Sequence, residues 1–277
     1  MIKRILVGVA GTPALAAKIE MALALAKRFG GEIGVVSIVD TDRLVKLGPV
    51  PLGAGAYAAR LSKHRIESSH RLDDAAIETF AEACAEAKVP MQAHRYEGNP
   101  LEVLVSLYRY HDLCVLGARG WFDYDVVPDP GDALLRVISE GIRPVIAVAE
   151  GRRPIRKAVI GYNGSIESSR AMKLFLQLSL WPEVDVHIVC VGSPKSQESA
   201  ANLLEVSAAY ARAQGHEART AHVEGTPWEA LLDYASSVDA DMIVAGSSAR
   251  RILSTRRMGK SVLNLVKSSN LPLFLSN

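Results

Sequence analysis

Short apolar runs alternate with longer stretches of helical period along the whole chain. The runs fall near 3–9, 32–39, 91–96, 112–116 and 144–149, and again near 155–161, 184–191, 217–223, 241–245 and 271–276. Strands separated by helices predict parallel βαβ units and an α/β fold. Pro100 with Glu102, and Pro227 with Glu229, predict helix starts. Proline is tolerated in a first turn, and a carboxylate there faces the positive end of the helix dipole.

The pattern repeats itself at domain size. Ile5 to Thr12 (ILVGVAGT) corresponds to Ala158 to Ser165 (AVIGYNGS) at an offset of 153 residues. Glu97 to Leu104 (EGNPLEVL) and Glu224 to Leu231 (EGTPWEAL) share five of eight residues at an offset of 127. Asp112 to Gly117 answers Asp241 to Gly246 at 129, and Pro144 answers Pro272 at 128. The chain is therefore expected to hold two domains, 1–150 and 155–277, linked by Gly151 to Pro154. Each is expected to be a doubly wound parallel sheet of five strands in the order 3-2-1-4-5, the two related by a pseudo-twofold. The fall in offset leaves about 25 extra residues in the first half, and Gly48 to Arg71 is the candidate. Its Gly and Pro residues, followed by a basic run, predict a mobile basic loop leading into a helix, or a solvated charged face.

Composition narrows the function classes. Apolar residues make up 49% and charged residues 22% of 277, an ordinary globular balance. The net charge of +2 is too small for a protein whose main business is coating nucleic acid, so any anion site must be local. Cys84, Cys114 and Cys190 form no C-x-x-C pair or zinc spacing, which points to buried thiols in a reducing, cytoplasmic setting. The basic and apolar N-terminus imitates a signal peptide, but the same pattern recurs in mid-chain, so it is read as a strand. The Pro- and Gly-broken run Leu47 to Ala59 is too short to span a bilayer, and no membrane segment is expected.

In such a sheet the ligand crevice lies beyond the carboxyl ends of strands 1 and 4, where the strand order reverses. The loop after strand 1 is Ala10-Gly11-Thr12 in the first half and Asn163-Gly164-Ser165 in the second. The strand 4 loops differ more. Gly246 to Ser261 holds Arg250, Arg251, Arg256, Arg257 and Lys260 with no acidic residue, among small and hydroxyl residues suited to a phosphate. Gly117 to Asp132 carries Asp123, Asp125, Asp129 and Asp132 against Arg119, and four carboxylates repel a triphosphate. None of the seven histidines shows metal-ligand spacing, and no nucleophile elbow is present. Trp121, Trp181 and Trp228 read as packing residues.

These residues resemble the universal stress protein family, here as a tandem of two domains covering essentially the whole chain. The family's phosphate signature is Gly, two residues, Gly, nine residues, then Gly followed by Ser or Thr. Gly246, Ala249 and Gly259 fall on that spacing, with Lys260 next and Ser261 one later. The first half offers Gly117 and Gly120, then Gly131 one position late and Asp132 in place of the hydroxyl, a degenerate copy. Nucleotide-binding members carry an Asp at the end of strand 1, where this chain has Ala10 and Asn163. Asparagine can hydrogen-bond a ribose hydroxyl but is a poorer magnesium ligand.

The resemblance implies a cytoplasmic stress-response protein that acts through a small-molecule ligand or a protein partner, with an internal pseudo-dimer and further dimerisation left open. ATP or another nucleotide is expected in the second domain only, with the site built from Asn163, Gly164, Ser165, Gly246, Ser247, Ala249, Arg256, Arg257, Gly259, Lys260 and Ser261. Two alternatives stand beside it: a binder of a different anionic or apolar metabolite, and a slow ATPase. Asn163 and Lys260 count against efficient magnesium-dependent phosphoryl transfer.

Overall fold

In the computed structural model, residues 2–10, 13–45, 54–118, 134, 137–138, 143–151, 154–195, 199–247, 249–252, 255–258 and 260–277 are described. The first half runs β1 (Arg4–Gly8), α1 (Leu15–Phe29), β2 (Glu32–Val39), α2 (Thr41–Val45), α3 (Gly55–Ala87), β3 (Met91–Glu97), α4 (Pro100–Tyr108), β4 (Leu113–Gly117) and β5 (Val145–Val148). The second runs β6 (Lys157–Gly161), α5 (Ile166–Leu178), β7 (Asp185–Val191), α6 (Ala200–Ala213), β8 (Ala218–Val223), α7 (Pro227–Ser237), β9 (Met242–Gly246), β10 (Ala249–Ile252), β11 (Thr255–Met258), α8 (Lys260–Ser268) and β12 (Leu273–Ser276).

Ten strands form one sheet in the order β3-β2-β1-β4-β5-β12-β9-β6-β7-β8. Each half has the 3-2-1-4-5 order expected of it, with parallel pairing throughout. The halves meet where β12 pairs antiparallel with β5, Leu273 opposite Ala147 and Leu275 opposite Val145. The pseudo-twofold is thus built into the sheet. One consequence fixes the position of any site: the strands of the two halves end on opposite edges.

The period-two alternation sorts the core into two layers. Ile5 and Val7 of β1 join the layer under α1 and α3, while Leu6 joins the layer under α4. Matching aspartates brace the start of each half. Asp112 Oδ2 accepts from the N–H groups of Lys3 and Arg4 at 2.8 and 3.1 Å, and Asp241 Oδ2 from those of Arg156 and Lys157 at 2.9 and 3.0 Å. The proline-marked helices begin as expected, with Asn99 Oδ1 accepting from the Leu101 N–H at 3.0 Å ahead of α4.

Two elements depart from expectation. The segment read as a loop leading into a helix is helical from Gly55, and α3 continues for 33 residues to Ala87. Residues 48–53, the first part of that segment, lie outside the described residues. The basic stretch after β9, read as a loop, carries the antiparallel pair β10 and β11 with Arg250 opposite Arg257 and Arg251 opposite Arg256. Trp181 and Trp228 are half-buried against the two core layers, while Trp121 lies outside the described residues. All three cysteines are free and buried.

Candidate functional site

A crevice of about 180 Å³ opens at the carboxyl ends of the second-half strands. Its wall is built from the ends of β6, β7 and β9 and the starts of α5, α7 and α8. Parallel strands deliver their following helices N-terminus first, so backbone N–H groups and positive dipole ends gather there. Val189, Val191, Leu231, Val262 and Leu265 give it an aliphatic floor, and Asn163, Ser165, Glu167, Ser168, Lys195 and Ser261 are among its polar lining residues.

The loop after β6 is locked by its own side chains. Asn163 Oδ1 accepts from the Ser165 N–H at 3.1 Å and from Ser168 Oγ at 3.0 Å. Ser165 Oγ in turn caps α5 by accepting from the Ser168 N–H at 3.2 Å. Gly164, at φ +76°, takes the left-handed conformation this turn requires. Because an N–H must meet an acceptor, the bond from Ser165 fixes which atom of the Asn163 amide is oxygen. Among the described residues the Asn163 NH₂ has no protein partner, so it remains as a donor for a ligand. Lys195, after β7, ties to the same turn through its N–H to Asn163 O at 2.8 Å and adds its side chain to the wall.

Close packing explains the first glycine after β9. A Cβ on Gly246 would stand 2.2 Å from Glu167 O and 2.6 Å from Ser168 N, inside the first turn of α5. Only glycine lets that helix start seat on the strand end.

Of the residues expected at the site, Asn163, Ser165, Gly246 and Ser261 line the crevice, and Gly164 shapes it. Ser247 is 1% exposed, and its N–H donates to Ser276 O at 2.7 Å, so its backbone serves the sheet edge. Ala249 lies on β10, Arg256 and Arg257 on β11, and Lys260 opens α8. Gly259 lies outside the described residues. Tyr162, Glu167, Ser168 and Lys195 also line the crevice, and the sequence reading missed them. Glu167 and Ser168 follow directly on a recognised turn and were within reach of it. Lys195 sits beyond Pro194 with no marker of its own.

The donor set does not suit magnesium. A hard cation wants several oxygen ligands. Here the Asn163 oxygen already takes two protein donors, and Glu167 is the single carboxylate among the described lining residues. Among the described residues there is no group of three or more His, Cys, Asp or Glu side chains able to hold a metal ion.

Among the described residues, the corresponding strand ends of the first half are apolar. Val9, Ala10 and Leu116, fully buried, stand where the second half has Tyr162, Asn163 and Ala245, and Leu15 replaces Ser168. Lys18 on α1 is buried close by, and its Nζ donates to Gly8 O at 2.9 Å.

The model of the universal stress protein family matches residues 1–136 and 154–276. The chain belongs to that family. A universal stress protein of Synechocystis is 20% identical over 259 residues, which is 90% of each chain. Among solved structures, a universal stress protein from Archaeoglobus fulgidus superposes with a TM-score of 0.67 at 16% identity, covering 99% of this chain and 96% of its own. A protein of unknown function from Pseudomonas aeruginosa gives 0.61 at 13% identity, with 99% and 92% covered. This universal stress protein thus shares its full tandem architecture with both structures, and no helix among its described residues is long and apolar enough to cross a membrane.

Proposed function

We propose that this universal stress protein binds a nucleotide such as ATP, or a related anionic metabolite, in the second-half crevice and leaves the first half empty. It acts through the bound state rather than through rapid turnover. The units that carry this division are 1–150 and 155–277. The observation that supports it most is the contrast between the two strand-end regions. One offers the Asn163 NH₂, Lys195 and helix starts around an aliphatic floor, and the other offers Val9, Ala10 and Leu116. Sequence charge points the same way, +5 over residues 246–261 and −3 over 117–132. Salt screens exposed charges beyond about 8 Å, so this local difference is what a phosphate feels.

A base fits the aliphatic floor, and its phosphates fit the small and basic residues Gly246, Ser247, Ala249, Arg256, Arg257, Gly259, Lys260 and Ser261. Binding is expected without tight dependence on magnesium, because the Asn163 oxygen is engaged within the protein. The buried, unpaired cysteines suit a reducing, cytoplasmic setting.

Titration calorimetry of the whole chain with ATP, with and without a chelator, tests this. Changing Arg256, Arg257 and Lys260 together to Ala should weaken binding at least tenfold, about 1.4 kcal/mol, and Asp129 and Asp132 to Ala should leave it unchanged. Equal affinity at both halves, or no binding at millimolar ATP, would overturn the assignment. Native mass spectrometry of the purified protein distinguishes a copurifying nucleotide from an apolar metabolite with an anionic head, the reading that the aliphatic floor also favours.

A further inference from the structure

Helix α3 carries its charges the wrong way round for an isolated helix. Between residues 55 and 71 it holds Arg60, Lys63, Arg65 and Arg71 against Glu67 alone. From 72 to 87 it holds Asp73, Asp74, Glu78, Glu82 and Glu86 and no basic residue. Cations thus crowd the positive end of the dipole and carboxylates the negative end, each costing stability. Its first turn has no acidic residue and its last turn no basic one.

The side chains involved lie on one stripe. At 100° per residue, Arg60, His64, Arg71, Glu78, Glu82 and Glu86 fall within about 40° of a common line. All six are exposed. The residues that pack on the molecule, Ser62, Ser69, Asp73, Ile77, Phe80 and Cys84 among them, lie on the opposite face. Within the stripe, Glu78, Glu82 and Glu86 follow one another at four-residue spacing, where like charges destabilise a helix. Among the described residues, none of Arg60, Arg71, Glu78, Glu82 and Glu86 has an ion-pair partner. Among the described residues, α3 does pair through Glu67 with Lys63, Asp74 with Arg95 and His70 with Glu97.

A stripe that is basic over one half and acidic over the other is complementary to itself run backwards. We propose that α3 is a self-association surface, on which a second copy of this chain lays its own α3 antiparallel across a twofold axis at the level of residue 73. Arg60 then faces the partner's Glu86 and His64 faces the partner's Glu82, and symmetry repeats both pairs. Ser68 and Ala75 flank the axis on the stripe, small enough to let the two backbones approach. A contact of this kind is isologous and closes at the dimer. It also relieves the clash between charge and dipole in both copies at once. Exposed ion pairs contribute little individually, so the dimer is weak and sensitive to salt.

Sedimentation velocity on the full chain tests the proposal. A dimer should form at micromolar concentrations in about 50 mM salt, and its dissociation constant should rise at least tenfold by about 500 mM. Glu82→Lys with Glu86→Lys makes both ends of the stripe basic, and Arg60→Glu with His64→Glu makes both ends acidic. Each double variant alone should be monomeric, and an equimolar mixture of the two should restore the dimer. A monomeric wild-type chain at about 100 μM in low salt would overturn the proposal. So would a dimer that survives in either double variant, or a mixture that stays monomeric.

Discussion

A histidine ring covers the same position of the sheet in both halves but arrives from different places in the chain. In the first half, Gly34 of β2 leaves room for His111, whose Nε2 lies 2.8 Å from where a Gly34 Cβ would stand. In the second, the counterpart of Gly34 is His187 itself, and the counterpart of His111 is Ala240. Each ring is held by the helix beside it, His111 Nδ1 on Leu107 O at 2.8 Å and His187 Nδ1 on Tyr234 Oη at 2.9 Å. Space rather than chemistry is conserved between the halves. Gly34→Ala should therefore cost about 1–3 kcal/mol by overpacking, and most of that should vanish in a His111→Ala background. A double-mutant cycle from urea unfolding measures the coupling, and additivity within about 0.5 kcal/mol would contradict it.

Lys18 is the other residue whose environment sets its behaviour. It stands where the second half has Ala171, with Asp73 nearby, itself bonded by Ser37 Oγ at 2.5 Å. Burial pulls the ammonium down to about 7, and Asp73 resists that fall. Between that value and the ordinary 10.5, the folded state holds fewer protons than the unfolded chain, so stability rises with pH through this window. Relative to Lys18→Met, the wild-type protein should gain stability from pH 7 toward pH 10, by at most about 1.4 kcal/mol per unit. Denaturation curves at several pH values check it. A constant difference between the two proteins would mean Lys18 does not titrate there.

At the scale of elements, strands and proline-marked helices were legible because period and capping chemistry are local. The crevice at the ends of β6 and β9 was legible too, since a doubly wound sheet opens where its strand order reverses. Lys18 was hidden by its type: it lies on the apolar stripe with Ala22 and Leu25, a spacing that indicates burial, yet a lone lysine there reads as solvent-facing. The start of α3 was hidden because its packed face uses Ala58, Ser62 and Ser69 rather than large apolar residues, which leaves no hydrophobic period to follow. The β10–β11 pair was hidden because Leu253 and Ser254, between its strands, carry none of the Asn-Gly or Gly signals of a tight hairpin. Four arginines at facing register positions also argue against pairing.

For the whole molecule, the seam decides whether there are two folding units or one. Phe274 of β12 is fully buried, lies opposite Ile146 of β5, and meets the Phe175 ring edge-on at 5.3 Å. It therefore belongs to the core of one half and to the join with the other. Phe274→Ala should cost about 3–5 kcal/mol and lower the unfolding transition of the entire chain. Far-ultraviolet circular dichroism and tryptophan fluorescence should report one coincident transition in both proteins. Separate transitions would show that the halves unfold independently.

The antiparallel seam also changes what a mutation means. In a dimer of identical subunits every substitution is made twice, at symmetry-related places, and both sites must tolerate it. With the two copies joined in one chain, each position varies alone. Val9 and Ala10 are buried at one strand end, while Tyr162 and Asn163 line a crevice at the other. The opposite polarity of the halves places those two ends on opposite edges of the sheet. A tandem of this kind has a front and a back, with the crevice opening on one edge of the sheet alone among the described residues.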